Sequence, residues 1–242
     1  MNTGAFVEID YVAKVKDGRY FDVTDEARAK ELDLYEQGRT YGPVKVVVGA
    51  RHVLEGLDEA LASMELGEER EVVVSPEQGF GRRDPSLINT VPMREFRKQG
   101  ITPRVGMSLE VGEQVAHVKS VSSGRVTLDF NHALAGRTLE YTVRIVSEIT
   151  DPQKKIEALF DLYLGGFDES KYTVAIEGTE ATITMEGLKK GVEDVVRSIV
   201  RKEIEKHIPE ITAVSFGGEE SPEEPPEGEA QEQAGDAPVD EA

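Results

Sequence analysis

The chain of 242 residues has no cysteine. That excludes disulfides, thiol catalysis and thiolate metal sites. It also fits a reducing compartment, so a cytoplasmic location is expected. No apolar run approaches the roughly 18 residues of a membrane span. The start, Met1-Asn2-Thr3-Gly4, has no basic region followed by an apolar run, so no secretory signal is expected. Positive charge is scarce: 28 Lys and Arg stand against 47 Asp and Glu, a net charge of −19. Such a chain is a poor partner for nucleic acid or an anionic membrane, where neutralising phosphate needs Lys and Arg. Residues 217–242 have no Lys or Arg and hold ten of the acids. Rich in Pro and Glu, with almost no large apolar residue, this tail is expected to be disordered and to serve solubility. The four histidines, His52, His117, His132 and His207, are scattered singly. No metal site and no cofactor are expected.

What is present is periodicity. Val7, Ile9, Tyr11, Ala13 and Val15 share one face of a strand over residues 5–15, with Glu8, Asp10 and Lys14 on the other. Lys16-Asp17-Gly18-Arg19 reads as a turn, and Tyr20-Phe21-Asp22 begins the return strand. Residues 24–42 are helix-prone at first and then loop-like. Val44 to Val48 is short and β-branched, so it reads as a strand ended by Gly49. Leu57, Ala60, Leu61 and Met64 fall at helical spacing on one face, and Gly67 suits a left-handed C-terminal cap. Glu71 to Ser75 is another strand.

Beyond Phe80 the texture changes. Gly81-Arg82-Arg83-Asp84-Pro85 is a break, and residues 84–130 read as a compact block. It has a short helical piece at 92–96 and strands at 107–111, 114–121 and 125–130. Leu139, Tyr141, Val143 and Ile145 then resume period-two alternation. Asp151-Pro152 is a helix start, with Asp as N-cap and Pro at the first helical position. An apolar stripe of Ile156, Leu159, Phe160, Tyr163 and Leu164 follows, stopped at Gly165-Gly166. A hairpin around Gly178 and a helix over 187–207 with Leu188, Val192, Val195, Val196, Ile199 and Ile204 inward come next, then a last strand at 211–216. Four parts are expected: 1–83 with 131–150, 84–130, 151–216 and the tail 217–242. The class is α+β, an antiparallel sheet wrapped on a short helix, a small all-β insert and a C-terminal α-β-β-α-β unit.

Several motifs agree in order: Phe21-Asp22 after Tyr11, then Gly49, Val53-Leu54, Gly56-Leu57 and Gly79-Phe80-Gly81. Residues 5–149 thereby resemble the FKBP-type peptidyl-prolyl isomerases. The block 84–130 followed by Asn131-His132-Ala133-Leu134-Ala135-Gly136 resembles the insert-in-flap arrangement of SlyD-type members, and 152–216 the extra domain of long archaeal ones. The resemblance implies an apolar cavity between sheet and helix, lined by Tyr11, Phe21, Asp22, Val44, Val53, Leu54, Leu57, Phe80, Leu134 and Tyr141. Three positions depart from the usual pattern. Leu57 replaces a Trp, Val44 an aromatic wall and Phe80 a Tyr, so weaker macrolide binding is expected. Residues 217–242 hold no histidine, which departs from the nickel-binding tails of SlyD relatives.

The implied activity is rotation of X-Pro bonds, with chaperone action that speeds proline-limited folding. The implied partners are unfolded or partly folded polypeptides. A holdase with vestigial isomerase activity is the rival reading, and a structural assembly protein built around 152–216 a third. Taken singly, each aromatic reads as core, Asp22 as a turn residue, His132 as a structural or pocket-rim group, and Asp58-Glu59 as a solvated face. The 187–207 stripe reads as core, with part of it a candidate for pairing two copies into a homodimer.

Overall fold

The computed structural model describes residues 1–112, 114–164, 172–187 and 190–217. The stop at Gly165-Gly166, the inward placement of Leu188 and all but Gly217 of the tail lie outside the described residues. In chain order the elements are β1 (Phe6–Val15), β2 (Tyr20–Val23), α1 (Glu26–Glu31), β3 (Val44–Val47), α2 (Glu55–Ala62) and β4 (Glu69–Val74). Then come β5 (Ile88–Pro92), α3 (Met93–Lys98), β6 (Ser108–Val111), β7 (Gln114–Ser122), β8 (Arg125–Asp129) and β9 (Leu139–Ile149). The chain continues through α4 (Pro152–Tyr163), β10 (Tyr172–Glu177), β11 (Glu180–Met185), α5 (Lys190–His207) and β12 (Ala213–Phe216). The α+β class expected from the pattern is the class found.

The first sheet runs β2-β1-β9-β4, and β3 also pairs with β1. All its pairings are antiparallel. Its inward face carries Val7, Ile9, Ala13, Val46, Val72, Val74, Leu139, Val143 and Ile145 against Leu57, Leu61 and Met64 from α2 and the turn after it. Gly56 lets α2 approach β4 closely, since a Cβ there would meet Val74 Cγ1 at 3.1 Å. Gly67 does adopt a left-handed φ of +80°. It lies beyond the helix end, however, where its N–H binds the Ile145 carbonyl, so it shapes a turn and not a cap.

The insert forms its own sheet, ordered β5-β8-β7-β6, around Phe96, Leu109, Ala116, Val118, Val126 and Leu128. The helical piece expected at 92–96 is α3, which supplies Phe96 to the core, and β5 is a strand that the pattern did not reveal. Asn89 and Thr90 interrupt its apolar side chains. Both connections to the insert are clasped together. Arg83 donates to the buried Asp129 carboxylate, and Asn131 bonds both Asp129 and the backbone of Asp84. Burial alone would raise the Asp129 carboxyl, but Arg83 and Asn131 outweigh it and hold it below its ordinary range.

The third unit pairs β10 with β11 antiparallel and β11 with β12 in parallel. Asp151 caps α4 as expected, accepting from the Lys154 N–H. On α5 the buried residues are Val196, Val200 and Ile204. Val192 and Val195, expected inward, are 51 % and 57 % exposed. The turn of the helix that meets the core is set by Val200, one residue off the expected stripe.

This third core does not stand alone. Phe6 and Val47 face it from the back of the first sheet, packed with α4 and α5. A polar chain crosses the same junction. The Val47 N–H donates to His52 Nδ1 (3.1 Å), His52 Nε2 meets Tyr163 Oη (2.8 Å), and Tyr163 donates to Glu203 Oε2 (2.8 Å). His207 Nε2 lies 3.2 Å from the same carboxylate oxygen, and the two imidazoles are 6.0 Å apart. Two of the four histidines read as scattered in the sequence, His52 and His207, are therefore neighbours in space. Burial is the largest influence on both rings and lowers both pKa values; the charge of the other imidazole adds to the effect at His52, and Lys206 adds to it at His207.

Among the described residues no helix is long and apolar enough to cross a membrane, and no group of acidic or histidine side chains is placed to hold a metal.

Phe6→Ala should cost about 3–5 kcal/mol in urea denaturation, since it empties a fully buried aromatic site. Acid should also weaken the fold. With folded-state imidazole values below the ordinary value of roughly 6.5, the unfolded chain takes up protons first, so stability is complete above that pH and falls as pH drops below it. The urea midpoint should be lower at pH 5.5 than at pH 7.5, and His207→Gln should reduce that difference.

Candidate active site

Five of the residues singled out from the sequence meet around one cavity of about 410 Å³: Tyr11, Val53, Leu54, Leu57 and Tyr141, joined by Arg51 and His52. Tyr11 comes from β1 and Tyr141 from its neighbour β9, so strand pairing sets their rings 5.7 Å apart, edge to face. Leu57 forms a fully buried floor on α2. Val53 and Leu54 precede that helix.

The segment leading to them is fixed by Asp58, which is buried and not solvated as expected. Its carboxylate accepts from the Gly49 N–H (2.8 Å) and the Arg51 N–H (2.9 Å). Arg51 is held in the left-handed region, at φ +61°, where a side chain other than Gly is disfavoured. Leu54 accepts at its carbonyl from Leu57 and Asp58 as the helix starts. Among the described residues nothing accepts from its N–H, which leaves a donor beside the cavity.

Phe21 and Asp22 lie one contact away. The Phe21 ring packs edge-on against Tyr141 at 6.1 Å. Asp22 accepts from the Tyr11 hydroxyl (2.7 Å), the Val23 N–H (2.9 Å) and Arg39 Nη2 (2.7 Å). Arg39 also donates to the Val23 carbonyl and lies over the Tyr41 ring. Arg39 was not picked out from the sequence, because it sits in a stretch that reads only as loop. Burial pushes the Tyr11 hydroxyl pKa up strongly, and its bond to Asp22 adds to the rise. Burial, then the Asp22 charge, pushes Tyr141 up to about 12.

Three expected residues stand elsewhere. Val44 is exposed on β3 and lines no part of this cavity. Leu134 lines a separate cavity with Val15 and the β1–β2 turn. Phe80 packs on the same core as the cavity walls but stays outside the lining, its ring stacked on His132 at 4.2 Å. His132 is thus a stacking partner of Phe80 whose Nδ1 accepts from the Leu134 N–H. Two lining residues were missed. Arg51 carries no pattern, and Tyr163 and His207, which His52 meets in the third unit, are over a hundred residues away.

The cavity is apolar at its floor and carries aromatic rings in its wall, with the Leu54 N–H beside it and no serine, threonine or cysteine among its lining residues. It suits a reaction that reshapes a bond without breaking one.

Comparison with known proteins agrees. Residues 1–95 match the family model described as FKBP-type peptidyl-prolyl cis-trans isomerase, and residues 89–134 match the one described as FKBP26, IF domain. The short-type peptidyl-prolyl cis-trans isomerase of Methanocaldococcus jannaschii is 39% identical over 142 residues, 59% of this chain and 90% of that protein. The FKBP-type isomerase SlyD of Haemophilus influenzae is 30% identical over 139 residues, 55% of this chain and 72% of that protein. SlyD of Helicobacter pylori is 29% identical over 119 residues, 47% of this chain and 63% of that protein. With the cavity, its aromatic walls and these relatives together, the chain belongs to the FKBP-type peptidyl-prolyl cis-trans isomerases.

Proposed function

We propose that the cavity between β1, β9 and the start of α2 is where a prolyl bond turns, and that the insert holds the unfolded chain that carries it. The observation that carries the first half is the convergence of Tyr11, Val53, Leu54, Leu57 and Tyr141 on one cavity. A planar amide is stiffened by resonance, and rotation meets a barrier of about 18–20 kcal/mol. The twisted state has lost that resonance and is less polar at the carbonyl. An apolar cavity therefore favours it over the planar ground state, which is transition-state complementarity without a nucleophile. The free N–H of Leu54 serves as a clamp on the substrate carbonyl. Asp22 acts through Tyr11, whose hydroxyl it orients, while Arg39 balances its charge.

The insert's role rests on its edge. In the order β5-β8-β7-β6, the outer side of β6 has no partner strand among the described residues. Val105, Met107, Val111 and Val115 are exposed beside it. An extended client adds there as a further strand, bound by main-chain hydrogen bonds that are indifferent to sequence. Tethering raises the local concentration of its prolyl bonds at the cavity. Clients are thus unfolded or partly folded polypeptides, and the gain is faster proline-limited folding. The exposed Val192 and Val195 support self-association through α5, and the lack of cysteine supports a cytoplasmic setting.

On a short proline peptide, Asp22→Ala and Tyr11→Phe should each lower kcat/KM by roughly ten-fold, about 1.4 kcal/mol. The double variant should fall little further, because the two side chains act as one unit. Undiminished turnover in all three would remove the cavity from the reaction. Met107→Asp with Val115→Asp should leave peptide turnover intact and slow the catalysed refolding of a long proline-limited protein. Equal refolding rates would show that the β6 edge captures nothing.

A further inference from the structure

One lining residue of the cavity is held by a different unit of the chain. His52 stands in the wall beside Val53 and Leu54, yet its ring is fixed by α4 and α5. The direction of each hydrogen bond follows from the groups themselves. The Val47 N–H can only donate, so His52 Nδ1 must be unprotonated and accept. The neutral ring then carries its proton on Nε2 and donates it to Tyr163 Oη. Tyr163 in turn donates its hydroxyl hydrogen bond to Glu203. Each member has one role, and flipping the imidazole would break both of its bonds. Edge-to-face packing of His52 on Tyr163, 5.4 Å between centroids, holds the ring in the same pose.

We propose that Tyr163 is a positioning residue of the isomerase. Anchored on Glu203, it fixes the His52 imidazole and with it the wall segment 51–54. The C-terminal unit thereby completes the cavity from behind. Asp58 secures the same segment from α2 through the Gly49 and Arg51 amides, so the wall is pinned from both sides. His52 and its backbone anchor Val47 lie in the first unit, Tyr163 and Glu203 in the third. The isomerase cavity is therefore shaped by residues that a chain ending after β9 would lack.

This inference rests on the cavity being the isomerase site. Its test is Tyr163→Phe in the full chain, which keeps the ring and removes only the hydroxyl. On a short proline peptide KM should rise about 3- to 10-fold, the worth of one lost hydrogen bond, with kcat nearly unchanged, because the wall grips ground and twisted states alike. Nitrogen NMR of His52 supplies a second readout. The wild type should show one neutral tautomer, protonated at Nε2, and the variant a mixture. Glu203→Gln keeps an acceptor for the Tyr163 proton and should retain the single tautomer and a KM near wild type. An unchanged KM in Tyr163→Phe, with Asp22→Ala and Tyr11→Phe impaired, would overturn the positioning role alone. Wild-type turnover in those two cavity variants would overturn the cavity assignment and this inference together.

Discussion

Strand β1 is buried on both faces at its beginning, and the rest of the molecule follows from that. Val7 and Ile9 point into the core beneath α2, while Phe6 points the other way, into the core of the third unit. Its partner β9 must serve both cores too, and a single bulge lets it do so. Glu8 pairs with Ser147 but Ile9 with Ile145, which leaves Val146 as an extra residue. A strand alternates faces with period two, so one extra residue reverses the facing of everything after it. Leu139, Tyr141, Val143 and Ile145 therefore face α2, and Ile149 packs against the third core. Without the bulge, Ile149 would share the face of Ile145, and the back of the sheet would lose one of its apolar contacts with α4 and α5.

That pairing also sets the chemistry. Tyr11 and Tyr141 meet because β1 and β9 are neighbours, and Asp22 reaches Tyr11 because β2 lies on the other side of β1. A carboxylate beside an apolar cavity is costly unless it is bonded. Here the Tyr11 hydroxyl, a backbone amide and the Arg39 guanidinium all donate to it. The charge is satisfied at the rim, and the floor stays apolar. The division matters because bond rotation gains from a dry cavity but still needs its substrate held in one orientation.

Much of this was legible from the sequence, for identifiable reasons. Strands β1 and β9 alternate cleanly because one face of each is buried over most of its length. The start of α4 announced itself through Asp151 and Pro152, whose effects are local. What escaped were features set by distant contacts. Phe6 sits at the edge of a polar-looking start, and only the third unit makes it core. Asp58 reads as part of an acidic surface, yet two amides of a tight loop claim it. Leu134 follows the family order but is drawn to the β1–β2 turn. Val192 and Val195 satisfy helical spacing, though the helix leaves them exposed and turns Val200 inward beside the expected Val196 and Ile204. Period and propensity register which residues share a face; they do not say which face meets a partner.

The electrostatics of the cavity complete the argument. Prolyl rotation transfers no proton, so a group that changes charge near neutral pH would only vary the polarity of the walls. Burial keeps the Tyr11 and Tyr141 hydroxyls protonated far above that range. Among the lining residues only His52 ordinarily titrates near neutrality, and its setting opposes that. Protonation would put a hydrogen on Nδ1, facing the Val47 N–H, and burial already disfavours the charge. The hydrogen bonds that orient the ring and the burial that lowers its pKa thus act in one direction. They keep the wall neutral and in place, which is what a site that works by shape and low polarity requires.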